Sequence, residues 1–461
     1  MSVQSAIAAL RDKLRALSQI SFLRSVGVLV GGTAFAQALT VLALPLVTRL
    51  YTPSDFSTLA VFVSITTIIS VVACLRLEIA IPMPENDDDA ANLLALALLI
   101  CSIVAMFLGL TIFFAPTDFI GLAAKNPLRP YLWLLPLAVW LAGGYSAAQF
   151  WSTRKKKFGT IAKTRMTQAL GGAGTQIGLG WMGVAPLGLL LGQTIGSGAG
   201  FLNLLLSALR ENKKSFQNVS WSGMLQVLRK YDRFPKYSTF EAFANSAGFQ
   251  LPIIFIASSA IGPEAGYLML ATRAMAVPMG LVGGAIAQVY LSKAPEELRD
   301  GRLGAFSTEI LASLFKTGVG PLLFIGIVAP PLFSIVFGAA WGRSGEIVTW
   351  MIPWFIFQFM SSPISMVMHV VGKQRSMLAL TIFGLLLRLG SVVIVGHYAV
   401  EYLSEMYAIS GGVFYFACCW LFGRAAGVAG SAIEQIVTGN LFQVIWWVVA
   451  AVLLRVIFYI L

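Results

Sequence analysis

The sequence predicts an all-α integral membrane protein of about twelve transmembrane helices, in two pseudo-repeated six-helix lobes around a central cavity. Three observations predict it. Of 461 residues, 57% are hydrophobic and only 11% charged, with a mean hydropathy of +0.81. Soluble domains carry about 25% charged residues, so most of this apolar surface needs lipid as its solvent. The apolar runs are continuous, not alternating, which excludes a β-barrel. The basic residues fall on alternate connections, as they do where one side of a membrane is cytoplasmic.

Residues 1–20 put Ile7, Leu10, Leu14 and Leu17 on one helical face, with Arg11, Lys13 and Arg15 elsewhere. That pattern predicts an amphipathic helix on the cytoplasmic membrane surface. The apolar stretch after it is too long for a signal peptide, and no small-x-small cleavage site follows. The N-lobe, 21–208, is expected to hold spans near 24–48, 55–75, 90–114, 130–152, 160–182 and 184–208. A cytoplasmic linker, 209–236, follows. The C-lobe, 237–425, is expected to hold spans near 237–260, 264–290, 308–338, 346–370, 376–397 and 404–423. The extension 426–461 carries a candidate thirteenth span at 440–461, which leaves the side of the C-terminus open.

With the N-terminus cytoplasmic, roughly two dozen Lys and Arg residues fall on cytoplasmic segments and only Arg49, Lys125, Arg129 and Arg343 opposite. The net charge of +12 thus reads as positive-inside and not as affinity for nucleic acid. The halves also resemble one another. "LWLLPLAVW" (132–140) aligns with "TWMIPWFIF" (349–357), Trp133 over Trp350 and Pro136 over Pro353. At the same offset Lys156 falls on Lys373, and "TPSDF" (52–56) lies over "GPEAG" (262–266) nearby. Six spans per half make the copies parallel, with a site expected between them.

Cys74, Cys101, Cys418 and Cys419 sit in apolar runs with no metal or redox spacing, and read as packing residues. The acidic cluster 85–89 reads as a solvated N-terminal cap for span three, and the glycine-rich run 171–183 as close helix packing. No P-loop, metal cluster or Ser/His/Asp constellation is present, and His369 and His397 read as structural. No cofactor and no enzymatic activity are expected. Charges at membrane depth are the informative residues, because each is costly in hydrocarbon and usually faces a protein interior or a wet cavity. Arg273 lies about 15 Å into span eight at 1.5 Å per residue. Arg388 is central in span eleven, Lys316 lies in the inner part of span nine, and Arg49 ends span one. A cavity lined by such cations suits an anionic passenger, and guanidinium forks suit phosphate. The competing reading pairs each with a carboxylate or a helix C-terminus.

Several stretches in order resemble the polysaccharide transporter branch of the multidrug/oligosaccharidyl-lipid/polysaccharide (MOP) exporters. They are "LALPLVTRLYTPSDFSTLAVF" (42–62), "LRLEIAIPMPENDDDAANLLAL" (75–96) and "YDRFPKYSTFEAFANSAGFQLP" (231–252). "PEAGYLMLATRAMAVPMGLVGGAIAQVY" (263–290) and "FGAAWGRSGEIVTWMIPWFIFQFMSSPIS" (337–365) follow. The resemblance covers about 20–425. It implies a flippase that carries an undecaprenyl-pyrophosphate-linked oligosaccharide for O-antigen, capsule or exopolysaccharide across a bacterial inner membrane by alternating access. On that reading the pyrophosphate meets Arg49, Arg273, Lys316 or Arg388, and Glu78 and Glu241 are ion-coupling candidates. The implied partners are the lipid-linked oligosaccharide, membrane lipids and polysaccharide polymerase or assembly proteins, around a monomer.

Rival readings are a peptidoglycan-precursor flippase and a cation-coupled multidrug antiporter, which needs acidic residues deep in the N-lobe that this half lacks. A membrane enzyme on the same lipid needs a larger extramembrane loop or a carboxylate/His site. A scaffold or uncoupled scramblase is the remaining alternative.

Overall fold

A computed structural model describes residues 27–28, 30–114 and 128–460, and among them the regular structure is helical throughout. The expected helix at 1–20 lies outside the described residues. In chain order the membrane-scale helices are α1 (Val30–Leu50), α2 (Pro53–Ala73), α3 (Asp87–Phe114), α4 (Leu134–Arg154), α5 (Phe158–Trp181) and α6 (Leu187–Glu211). The second half supplies α7 (Phe234–Ser259), α8 (Glu264–Arg299), α9 (Leu303–Phe337), α10 (Gly342–Ser361), α11 (Gln374–Tyr398) and α12 (Leu403–Ala426). A thirteenth, α13 (Leu441–Ile460), packs along α9.

Ten helices among the described residues are long and apolar enough to cross a membrane. The other three, α4, α5 and α8, have the length, at 21, 24 and 36 residues, but carry more polar side chains. Among those side chains, Arg165, Gln168 and Gln176 of α5 and Arg273 of α8 line a cavity described below. The architecture is that of two six-helix lobes, and the packing repeats between them. α3 lies on α4 as α9 lies on α10, and α2 on α4 as α8 on α10. α5 lies on α6 as α11 on α12, and α4 on α6 as α10 on α12. The lobes meet where α2 packs against α7 and α8.

Local signals account for the helix ends. Thr52 caps α2: its Oγ1 accepts the Asp55 N–H while Asp55 Oδ2 accepts the Thr52 N–H at 2.9 Å, and Pro53 occupies the first turn. Asp87, Asp88 and Asp89 fill the first turn of α3, where negative charge suits the helix dipole. They are less solvated than expected, because Asp87 pairs with Arg154 at 3.1 Å and Lys155 at 2.5 Å from the end of α4. This end of the bundle, where α1 begins and α2 and α4 finish, is the basic end; the opposite one is the far end.

The linker is more ordered than a connection between lobes requires. It holds short helices at Lys213–Gln217 and Trp221–Lys230, and Val227 is buried in the N-lobe among residues of α3 and α4. Ser220 N–H donates to Asn92 Oδ1 at 3.1 Å. The segment thus closes the basic end of the N-lobe. In the C-lobe, α8 runs nine residues past the expected end at 290, and α9 carries a π turn at Phe315–Val319. The cysteines are free, with Cys74, Cys101 and Cys418 buried.

Candidate functional site

A cavity of about 470 Å³ lies between α1, α5 and α6 of the N-lobe and α8 of the C-lobe. Each wall is a stripe at helical spacing. α1 contributes Thr33, Ala36, Gln37, Thr40, Val41 and Leu44, and α5 contributes Arg165, Gln168, Ala169, Gly172, Ala173 and Gln176. Gly192, Gln193 and Gly196 come from α6, Arg273 and Ala276 from α8. The stripes run from the basic end toward the middle of the bundle. The small residues make room: a Cβ on Gly172 would meet the Gly192 carbonyl at 2.9 Å, so α5 and α6 touch backbone to backbone.

Two guanidinium groups enter this space. Arg273 Nη2 donates to Gln193 Oε1 at 2.6 Å, linking C-lobe to N-lobe, and Arg165 Nη1 donates to Thr33 Oγ1 at 2.7 Å. No Asp or Glu is among the described lining residues, and neither arginine has an ion pair among the described residues. Gln37, Gln168, Gln176 and Gln193 supply neutral donors and acceptors, and the buried Gln168 amide nitrogen has no partner among the described residues. Two cations without carboxylates, in a concave site of ligand-binding size, favour an anion.

The far end is shut above the cavity. Trp341, buried just before α10, donates its indole N–H to the Thr48 carbonyl on α1 at 3.0 Å. Its ring meets Phe56 of α2 edge-on at 4.8 Å and Tyr267 of α8 at 6.1 Å. Gly266 fits so tightly that a Cβ there would lie 2.1 Å from the Pro53 carbonyl. Nearer the middle, Ser64 on α2 donates to Gln250 Oε1 on α7 at 2.9 Å. These contacts close the far end between the lobes and are called the far gate below.

Of the four expected anion-binding residues, the structure brings only Arg273 to the cavity. Arg388 is buried inside the C-lobe, its guanidinium 3.9 Å from the Phe249 ring and 4.1 Å from the Phe414 ring, with Nη1 donating to the Gly248 carbonyl. Arg49 is exposed at the far end of α1. Lys316 is exposed on the π turn of α9, where its carbonyl accepts from Gln443 of α13. Of the coupling candidates, Glu241 is exposed in α7. Glu78 is buried in a 3-10 turn at the basic end, 3.7 Å from Arg76, with one carboxylate oxygen lacking a partner among the described residues. Burial pushes its carboxyl above the ordinary glutamate range, against the smaller opposing pulls of backbone hydrogen bonding and Arg76.

Sequence reasoning did not single out Arg165, which lies near the basic end of the span at 160–182. The signal was present: Arg165, Gln168, Gly172 and Gln176 form a polar and small-residue stripe along one face of a helix.

Residues 46–346 match the profile of a family described as polysaccharide biosynthesis protein. Among solved structures, the fold is similar to the lipid II flippase MurJ in an inward closed conformation, with a TM-score of 0.66 and 12% identity over 95% of this chain and 98% of that one. It is also similar to a multidrug resistance MATE family transporter of the MOP superfamily in an inward-facing conformation, with a TM-score of 0.57 and 17% identity over 84% and 94%. At these identities the likeness is one of fold. No curated protein matches the chain in sequence.

Proposed function

Because this chain belongs to the polysaccharide biosynthesis protein family and has the fold of the MOP exporters, we propose that it is a flippase for a polyprenyl-pyrophosphate-linked oligosaccharide. The observation that carries the reading is the pair Arg165 and Arg273 in a cavity between the lobes whose described lining holds no Asp or Glu. Guanidinium groups offer paired N–H donors that match phosphate oxygens, and charge-assisted bonds of this kind are about twice as strong as neutral ones. Removing the pyrophosphate from water is offset only where such donors replace its hydration.

On this reading the basic end faces the cytoplasm of a bacterial inner membrane, by the excess of Lys and Arg there. The cavity then receives the pyrophosphate from the cytoplasmic side while the far gate is shut. Arg273 holds a special position, because its bond to Gln193 spans the lobes. A pyrophosphate competing for that guanidinium would loosen the link between them, which gives the passenger a differential affinity for the two states of an alternating-access cycle. The polyprenyl chain stays in lipid, and the glycan extends from the cavity toward the basic end. The protein works as a monomer on this view, delivering to a polymerase or assembly partner, and performs no covalent chemistry.

A peptidoglycan-precursor flippase is the second reading. It is favoured by the likeness to a lipid II flippase across nearly the whole length of both chains. Both passengers carry pyrophosphate, so the arginine pair does not separate them; the glycan does.

The test is flipping of fluorescent undecaprenyl-pyrophosphate carrying different glycans in proteoliposomes, wild type against Arg273→Ala and Arg165→Ala, each checked by gel filtration. Loss of flipping by folded variants supports the pyrophosphate reading. Full activity in both variants overturns it. Transport of a peptidoglycan precursor in preference to repeat-unit oligosaccharides favours the second reading.

A further inference from the structure

The two arginines of the cavity stand at different levels along it, and the described wall between them is uncharged. α1 and α5 run side by side from the basic end: a Cβ on Gly32 would lie 2.8 Å from Ala162, and one on Gly180 would lie 2.7 Å from the Tyr51 ring. Gln37 therefore stands level with Gln168. Arg165 bonds to Thr33, four residues before Gln37 and about 6 Å nearer the basic end at 1.5 Å per residue. α8 runs the other way. Its Gly280 faces Gln37, since a Cβ there would lie 3.4 Å from Gln37 Oε1. Arg273 comes seven residues earlier on α8, about 10 Å nearer the far end.

Gln37 lines the cavity between these levels, and its amide has no hydrogen-bond partner among the described residues. An amide carries donors and an acceptor side by side. Across from it α8 contributes Gly280 and, one turn deeper, Ala276, both small, so space is left beside the amide. On the function proposed above, the pyrophosphate competes for Arg273 and the glycan extends toward the basic end. The first sugar ring then follows at the length of a diphosphate and its glycosidic bond, which brings it to the level of Gln37.

We propose that Gln37 reads the sugar joined directly to the pyrophosphate, and that this sugar is a neutral one with a hydrogen-bonding group on the carbon next to the glycosidic bond. The substituent on that carbon is the ring group nearest the pyrophosphate. A hydroxyl or an acetamido group there both donates and accepts, and so replaces the water that the free amide binds. The inference rests on the flippase reading of the cavity. It adds that glycans are distinguished at their first sugar, by a side chain that is not one of the cations.

The test is flipping in proteoliposomes of undecaprenyl pyrophosphate carrying one of three sugars: a 2-acetamido hexose, the same hexose with a 2-hydroxyl, and its 2-deoxy analogue. Wild type is expected to favour the better of the first two over the deoxy analogue by about tenfold in kcat/KM, the worth of one hydrogen bond. In Gln37→Met, close to glutamine in size but without the amide, that ratio falls to about one. Gly280→Leu fills the space beside Gln37 and is expected to slow flipping of every sugar-bearing lipid while inorganic pyrophosphate still binds. Each variant is checked by gel filtration. Equal flipping of the three lipids by wild type overturns the proposal, and so does a Gln37→Met ratio equal to wild type. Loss of inorganic pyrophosphate binding by folded Gln37→Met also overturns it, by placing Gln37 on the pyrophosphate. Flipping by Gly280→Leu at the wild-type rate overturns it too, since no sugar then lies in that space. If Gln37→Met does not fold, the wild-type ratio and Gly280→Leu still decide the matter. Failure of the flippase reading looks different: wild type then flips none of the three lipids, and this inference falls with it.

Discussion

Trp341 and Thr48 are 293 residues apart in sequence, yet an indole N–H to carbonyl bond of 3.0 Å joins them across the two lobes. The carbonyl belongs to a helix that also holds Gln37 in the cavity wall, so gate and cavity share one helix. Parting of the lobes at the far end would break this bond and the Phe56 contact together.

Truncating the indole should therefore unseal the gate. In Trp341→Ala a cysteine placed at Ala276, on the cavity wall, becomes reactive to a membrane-impermeant thiol reagent added from the far side. With Trp341 intact it stays protected from that side. Trp341→Phe keeps an aromatic ring but drops the pyrrole part with its N–H, whose hydrogen bond is worth about 1 kcal/mol, and gives an intermediate labelling rate.

Gly266→Val should act in the same direction by a different route. The added side chain has no room against the Pro53 carbonyl, so the closed arrangement is penalised while a parted one is not. The same cysteine reports it. Protection equal to wild type would show that α2 and α8 can yield without opening.

Arg273→Lys and Arg165→Lys should bind pyrophosphate more weakly than wild type but better than the alanine variants. Lysine keeps the charge and loses the fork. Each lost charge-assisted bond is worth about 1.5–3 kcal/mol, so titration calorimetry with inorganic pyrophosphate should show Kd rising by at least tenfold in the alanine variants.

Arg388→Met should be folded and should flip lipid within about threefold of wild type, which corresponds to under 1 kcal/mol. The two ring contacts are worth roughly 2 kcal/mol when desolvated, but the variant also escapes the desolvation of a buried charge. Arg388→Ala leaves a hole between Phe249 and Phe414 and should lower Tm by several degrees. A specific loss of flipping in the methionine variant, with Tm unchanged, would return Arg388 to the transport path.

Glu78 gives a prediction with a definite sign. Its folded-state carboxyl is raised, so the contribution to stability is present below the unfolded glutamate range and is lost as pH rises through the folded value. Glu78→Gln removes the ionisation. Its Tm should exceed or equal wild type at neutral pH, and the two should converge on acidification. A wild-type advantage that grows with pH would mean that the ion pair to Arg76 outweighs burial.

How much of this was legible in the sequence differs from residue to residue. Span count and helix type followed from long apolar runs, since hydrocarbon thickness sets one length for all of them. Depth picked out Arg273 and Arg388 equally, because depth along a helix is readable from rise per residue. Which way each points depends on neighbours from other helices: α6 presents Gln193 to one, while α7 and α12 present phenylalanines to the other. Arg165 lies next to a basic loop, where the positive-inside rule already accounts for a cation, so only the polar stripe it begins sets it apart. The gate left no periodic signal, since Trp341 and Thr48 become neighbours only when both lobes are folded.

The setting of Arg388 has a consequence for biogenesis. A helix emerging from the ribosome with an arginine at its centre faces an insertion cost of roughly 2.5–3.5 kcal/mol for that residue. α11 is strongly apolar otherwise and can bear it. Its guanidinium finds Phe249 and the Gly248 carbonyl on α7, already synthesised, but Phe414 comes only with α12. The charge is fully housed one helix later than it is made, so α12 completes the lobe by enclosing a group that lipid alone would not retain.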